Sequence, residues 1–267
     1  MQFKIGDFVT RTSYKHDIIF KIIGFNGSNV YLKGVDLRLY ADCDVSDLVD
    51  ASEVYSNNDS EIIDESVRNL NLDRSEFFYL PGKILHIDGD NDYLERCMNF
   101  YQKHNIKANG LVISESDIQS KILSLLSDFR PDIVVITGHD AYLKKQGRNI
   151  ENYQNTNNFV SAVKAARKYE KGQDKLIIIA GACQSNYEEL IRAGANFASS
   201  PKRINIHALD PAIVASSIAL SDKNKDIDLL NIIDKTKYGS DGMGGIITKG
   251  TMYVGYPRWL LIRLKVM

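Results

Sequence analysis

The sequence predicts an α/β fold: a mostly parallel sheet with helices on both faces over residues 79–267, preceded by a small SH3-like β-barrel over 1–50 and a polar linker over 51–78. Three observations carry this. From Leu80 onward, apolar runs of strand length alternate with helix-length amphipathic segments, the pattern of parallel strands joined by helices. In the first 50 residues the β-like runs are short, close together and separated by turns. Between the two lies Ser56-Asn57-Asn58-Asp59-Ser60 with many acids around it, a stretch with room for one helical turn and too polar to bury a face.

The N-terminal strands are expected at Asp7–Arg11, Ile18–Ile23, Asn29–Lys33 and Leu37–Tyr40. Gly24-Phe25-Asn26-Gly27-Ser28-Asn29 supplies turn formers for a hairpin between the second and third. In the larger part, strands are expected at Lys83–Asp88, Ala108–Ile113, Ile133–Thr137, Leu176–Ala180 and Ala195–Ser199, with helices at Asp92–His104, Asp117–Phe129, Thr156–Tyr169 and Asn186–Ala193. Pro131 and Gly172 stand where helices should stop, and Gly194 sits at a C-cap. Asp210-Pro211 reads as an N-cap with proline at the first helical position, opening a helix to Leu220. Gly239–Gly245 reads as a mobile glycine-rich stretch, followed by a closing hairpin of Ile246–Thr248 and Thr251–Val254. The apolar tail Trp259–Val266 is far shorter than the ~18 residues needed to span a bilayer and reads as a packed terminal strand.

The formal net charge of -1, from 33 basic and 34 acidic residues, argues against a general attraction to nucleic acid or anionic membrane. Lys202-Arg203 then reads as solvated surface. Three cysteines, an odd count without a Cys-x-x-Cys pair or Cys/His ligand spacing, exclude a disulfide framework and a structural zinc. No metal is expected. The glycines form neither a Gly-x-Gly-x-x-Gly nor a Walker loop, so no nucleotide or other cofactor is expected. The opening Met1-Gln2-Phe3-Lys4-Ile5-Gly6-Asp7 lacks the pattern of a signal peptide, which points to the cytoplasm.

The chemistry is expected at the carboxyl edge of the sheet, where strand ends and helix starts converge. Ile133-Val134-Val135-Ile136-Thr137-Gly138-His139 and Leu176-Ile177-Ile178-Ile179-Ala180-Gly181-Ala182-Cys183 each run straight into a reactive side chain. Their separation of 44 residues (183 − 139) is about one loop, one helix and one strand, so the two strands can be neighbours. An ordinary thiol, with a pKa of about 8.5, is only a few per cent ionised near neutrality, so Cys183 as nucleophile needs His139 as base. Amides opening the next helix at Gln184 and Ser185 would lower the thiol further. Cys97, among Leu94, Met98 and Tyr101, reads as core, as does Cys43. His86 lies inside a strand and reads as packing, whereas His207 is the alternative base. Asp88 and Asp90 end the first strand and could line a pocket for a basic side chain; for Asp90, capping the next helix is the slightly favoured reading. Asp140 and Asp210 carry the same double reading of substrate carboxylate or cap.

A strand ending in histidine followed by a strand ending in Ala-Cys resembles the caspase-like cysteine peptidases, with a caspase-like or flavodoxin-like sheet. That likeness implies oxyanion donors from the backbone at Gly138, Asp140 and Ala182. Asp140 stands where glycine is usual, so a residue with a side chain must supply that amide. Longer blocks resemble the YabG family of sporulation-specific peptidases: Leu80–Asp90, Ile136–Tyr142, Ala180–Ser185, Ala195–Pro211 and the Lys4-Ile5-Gly6-Asp7 opening. This resemblance implies a cysteine endopeptidase made in the mother cell that processes spore coat and cortex-associated proteins, in the cytoplasm or at the coat, with Cys183 and His139 at the family's motif positions.

Cleavage after arginine is expected if Asp88 or Asp90 forms the primary pocket. Self-cleavage is expected within 147–153, with Arg148 the first site to test, or within Gly239–Gly245. Protein substrates are thus the expected partners, with no nucleic acid and no membrane span. The alternative is a non-catalytic coat-assembly adaptor, its barrel binding a partner. A glutamine-amidotransferase-like hydrolase fits less well, because Ala182 and Gln184 do not make the tight glycine-rich elbow it uses.

Overall fold

A computed structural model describes residues 3–53, 59–68, 77–143 and 152–257. The N-terminal part is one antiparallel sheet of β1 (Phe8–Arg11), β2 (Phe20–Asn26), β3 (Asn29–Gly34), β4 (Tyr40–Asp44) and β5 (Leu48–Asp50). Its strand order is β4-β3-β2-β1-β5. The hairpin turns at Gly27-Ser28 as expected, and alternate residues Phe20, Ile22, Val30 and Leu32 are buried with Val9 and Leu48 in a small core of their own. Among the described residues no ladder joins β4 to β5, and the small SH3-like barrel expected from the sequence is not confirmed. The fourth strand also begins at Tyr40 rather than Leu37. Residues 35–39 leave the sheet instead: Leu37 and Arg38 find partners in the other part of the molecule, at His207, Ile206 and Asp88, while Leu39 still packs on the N-terminal core.

α1 (Asp59–Arg68) is a ten-residue helix where only a turn was expected within a polar linker. Ile63 is buried in the main core, and Arg96 places its guanidinium on Asp59 at 2.7 Å. Local polarity hid one apolar side that a tertiary partner covers. After β6 (Phe78–Leu80) come β7 (Ile84–Asp88), α2 (Asn91–Lys103), β8 (Ala108–Val112), α3 (Glu115–Phe129), β9 (Ile133–Thr137), α4 (Thr156–Tyr169), β10 (Ile177–Ala180), α5 (Tyr187–Ala193), β11 (Phe197–Ser199), α6 (Asp210–Ala219) and α7 (Leu229–Asp234). The last strands among the described residues are β12 (Met243–Gly245) and β13 (Tyr253–Gly255).

The main sheet has the order β12-β11-β10-β9-β7-β8, parallel except for β12. Its strands are apolar at nearly every position because both faces are covered. Ile84, Ile133, Val135, Ile177 and Ile179 point into the layer of α2 and α6, while Leu85, Ile87, Val134, Ile136 and Ile178 point into the layer of α3, α4 and α5. Each such side chain contributes about 1.5–3 kcal/mol by leaving water. The end of the chain differs from expectation. Gly239–Gly245 is not a separate loop: a 3₁₀ turn at Gly239–Asp241 leads into β12, whose Gly244 and Gly245 let Tyr187 and Phe197 approach to distances a Cβ would block. The expected hairpin around Lys249-Gly250 is absent, because β13 pairs with β6 instead. The tail Trp259–Val266 and Arg148 lie outside the described residues.

Candidate active site

β9 and β10 pair directly, with Ile136 opposite Ala180, so the strands that end in His139 and Cys183 are neighbours. β7 lies on the far side of β9, with Asp88 opposite Thr137, which brings Asp88 and Asp90 to the same edge. Two glycines make the turns possible. Gly181 has φ +105°, a left-handed conformation, and a Cβ there would sit 2.6 Å from Ser199 Oγ. A Cβ on Gly138 would meet Glu115 Oε1, which accepts the His139 backbone N–H at 2.8 Å and so fixes the start of the histidine loop.

Nε2 of His139 donates to Asp90 Oδ2 at 3.1 Å, while Nδ1 is buried with no hydrogen-bond partner among the described residues. Asp90 in turn receives Lys33 Nζ at 2.6 Å, Tyr40 OH at 3.0 Å and the amide of Asp92 at 3.0 Å. Burial opposes ionisation of Asp90, and the hydrogen bonds from His139 and Lys33 outweigh it, holding the carboxyl well below the usual range. An ionised carboxylate only accepts, so Nε2 carries the proton and Nδ1 presents its lone pair. The Tyr40 ring lies against the imidazole at 4.2 Å between centroids, and Tyr93 at 5.6 Å. The capping reading of Asp90 is realised: it caps α2 through the amides of Asp92 and Tyr93, and its other oxygen holds the histidine.

Cys183 is almost entirely buried, at 1 % exposure. Burial pushes its thiol up to about 12, against the N–H groups of Ile206, at 3.2 Å from Sγ, and of Arg38. The helix-start effect expected from Gln184 and Ser185 does not operate in this form: α5 begins only at Tyr187, with Asn186 as its cap. Gln184 instead takes a left-handed φ of 58°, tied by its amide to Ile204 O and by its side chain to the Tyr142 amide and to Asn205. Among the described residues no hydrogen bond joins His139 Nδ1 to the thiol. The Tyr93 ring is tilted 52° against the imidazole.

The remaining expected residues are placed as follows. Asp88 is fully buried and paired with Arg38, Nη1 to Oδ2 2.7 Å. Asp140 is a junction, accepting from Ala141, Asn155, Thr156 and Ser185, which ties the histidine loop to the start of α4 and to the cysteine loop. The amide of Ala182 already donates to Ser185 Oγ at 2.9 Å. His207 lies beyond β11, its Nδ1 accepting the Leu209 amide and its pKa pushed down to about 4 by burial, with Arg96 adding to the shift. Asp210 accepts the amides of His207 and Lys237, and burial raises it to about 6. Cys97 is core, as expected. Among the described residues no cluster of His, Cys, Asp and Glu could hold a metal, and no helix is long and apolar enough to cross a membrane.

Residues 4–257 match the family model of the YabG peptidase U57. The chain belongs to the YabG peptidase family. A curated relative, the sporulation-specific protease YabG of Bacillus subtilis (strain 168), is 40% identical over 286 residues, covering 96% of this chain and 99% of its own. Membership of the YabG family makes the chain a peptidase of sporulation rather than a coat adaptor. The N-terminal sheet falls inside the matched span, and from it come the residues that sequence reasoning missed: Lys33, Arg38 and Tyr40. Arg38 and Tyr40 were read as part of a small strand. Their partners lie 50 or more residues away in sequence, as with Arg38 and Asp88 and with Tyr40 and Asp90, which no local pattern registers.

Proposed function

We propose that this peptidase is a cysteine endopeptidase in which Cys183 attacks the scissile carbonyl and His139 Nδ1 takes its proton. The observation that supports this reading is the half-satisfied imidazole: Nε2 is fixed on an ionised Asp90, while Nδ1 has no partner among the described residues, just past the end of the strand next to the one that leads to the cysteine. Burial pushes the Cys183 thiol above its ordinary value and disfavours the thiolate, so general-base help is required. Attack forms a thioester after collapse of the tetrahedral intermediate, the imidazolium protonates the leaving amine, and water releases the acyl group. Backbone amides at Gly138 and Asp140 serve as oxyanion donors; that of Ala182, which donates to Ser185 Oγ, must first leave it.

Asp88 gives the primary pocket its charge, and Asp90 positions the histidine. A planar guanidinium gains two charge-assisted bonds where an ammonium gains one point contact, so cleavage after arginine is favoured over lysine. The substrates are proteins of the spore coat and cortex, processed in the mother cell or at the coat, and the chain itself is a further substrate. Incubating the protein with a proteome-derived peptide library and reading cut sites by mass spectrometry tests this. Arginine should precede the scissile bond, and Cys183→Ala should give no cuts while melting as the wild type does. Cutting by a folded Cys183→Ala protein, or acidic or apolar residues before the cut, would overturn it.

A further inference from the structure

Residues 35–39, between β3 and β4, lie along the active-site edge as a peptide would. Leu37 forms an antiparallel bridge with His207, in which the Arg38 N–H donates to Ile206 O at 3.2 Å and the Ala208 N–H to Asp36 O at 3.0 Å. This is strand addition, the mode by which extended peptides bind an exposed edge. The edge is next to the thiol, since the N–H of Ile206 points at Cys183 Sγ. Arg38 then turns its side chain inward. It is fully buried, with Nη1 on Asp88 at 2.7 Å, Nη2 on Ala208 O at 3.0 Å and the guanidinium over the Tyr93 ring at 4.8 Å.

Edge pairing, a carboxylate for a basic side chain and the thiol therefore meet on one residue of the chain's own N-terminal part. A fastener between two parts of a protein needs no buried charge, because apolar residues of similar volume hold as well without the cost of desolvating two ions. A peptidase that selects arginine needs a buried carboxylate for that purpose. The segment is clamped from outside as well: Tyr93 OH donates to Gly34 O and Leu37 O, and Arg96 to Val35 O.

We propose that residues 35–39 occupy the substrate groove as an internal substrate mimic, with Arg38 in the primary pocket on Asp88 and residues 206–208 as the edge on which peptide substrates pair. The inference rests on the reading of Cys183 as nucleophile and of Asp88 as the pocket carboxylate. Its consequence is latency: external substrate enters only when this segment lifts, and the segment is what keeps the thiol dry.

The test uses the full chain and two affinity labels of identical backbone, a peptidyl-arginine and a peptidyl-norleucine acyloxymethyl ketone. Modification of Cys183 is followed by peptide mass spectrometry. Arg38→Ala should react with the arginyl label about tenfold faster than wild type or more, because the pocket no longer carries its own occupant. The norleucyl label should gain much less. Arg38→Lys, which keeps a cation on Asp88 and protects the fold, should move in the same direction by a smaller factor. Unchanged arginyl rates in a folded variant would overturn the proposal, as would equal gains for both labels, which would mean simple loosening around the thiol. Failure of the underlying reading looks different: no arginyl adduct on Cys183 in any variant while proteolysis of casein persists.

Discussion

Two histidine-aspartate couples flank the strand that carries Cys183, and they differ in everything except composition. On the β9 side, Asp90 grips His139 through a side-chain hydrogen bond and is itself held by Lys33 and Tyr40, so its charge is kept in spite of burial. On the β11 side, Asp210 accepts from the backbone amides of His207 and Lys237, and burial, outweighing those bonds and the charges of Arg38 and Lys237, raises it to about 6 while burial drives His207 down to about 4. The first couple leaves Nδ1 of its histidine without a hydrogen-bond partner among the described residues; the second uses its polar atoms to shape the backbone. A carboxylate beside a histidine becomes a catalytic orienter only where other donors keep it ionised.

The largest effect expected from this contrast is in the rates of the two histidine variants. His139→Ala should lower kcat/KM by about three orders of magnitude or more, the range lost with a general base, and His207→Gln by less than about tenfold. Steady-state assay with an arginyl peptide decides it, and the opposite ranking would exchange the roles of the two couples.

Asp90→Asn comes next, at about 100-fold in kcat with a small change in KM, because the amide can no longer hold His139 in one tautomer. Lys33→Met should act in the same direction more weakly and should move the acidic limb of the pH–rate profile, which a purely structural defect would leave in place.

The smallest effect is on stability against pH. Asp210, raised in the folded state, favours folding below its unfolded value near 3.8, and this contribution is lost as pH rises through about 6. His207, lowered, stabilises above its unfolded value near 6.5, and this is lost as pH falls through about 4. The two slopes oppose each other between about pH 4 and 6. Asp210→Asn removes one, so its melting temperature should climb more steeply over that interval than that of the wild type. Parallel melting curves would show that the second couple does not titrate as described.

Much of the larger part was legible in the sequence, because both faces of its sheet are buried and the strands become unbroken apolar runs: Ile133–Thr137 and Thr156–Tyr169 appear with the expected bounds. The adjacency of the strands ending in His139 and Cys183 followed from the length of chain between them. What the sequence hid is non-local. The fourth N-terminal strand was placed at Leu37–Tyr40 because the residues alternate, whereas Arg38 answers to Asp88 and Leu37 to His207. The depressed thiol expected from Gln184 and Ser185 fails for a similar reason: the segment lying over Cys183 comes from another part of the chain, and it dries the site. Ile246–Thr248 and Thr251–Val254 looked like two halves of a hairpin, but β6 offered the later strand a partner from the start of the α/β part.

The strand order of the N-terminal sheet, β4-β3-β2-β1-β5, interleaves residues from before and after Arg38. β1, β2 and β3 form the middle, and β4 and β5, which follow Arg38 in the chain, form the two margins. A chain nicked between Arg38 and Leu39 would therefore keep every ladder of this sheet. It would elute as one particle under native conditions and separate into a short and a long fragment only in denaturant, so a size measurement on folded protein would report such a molecule as intact.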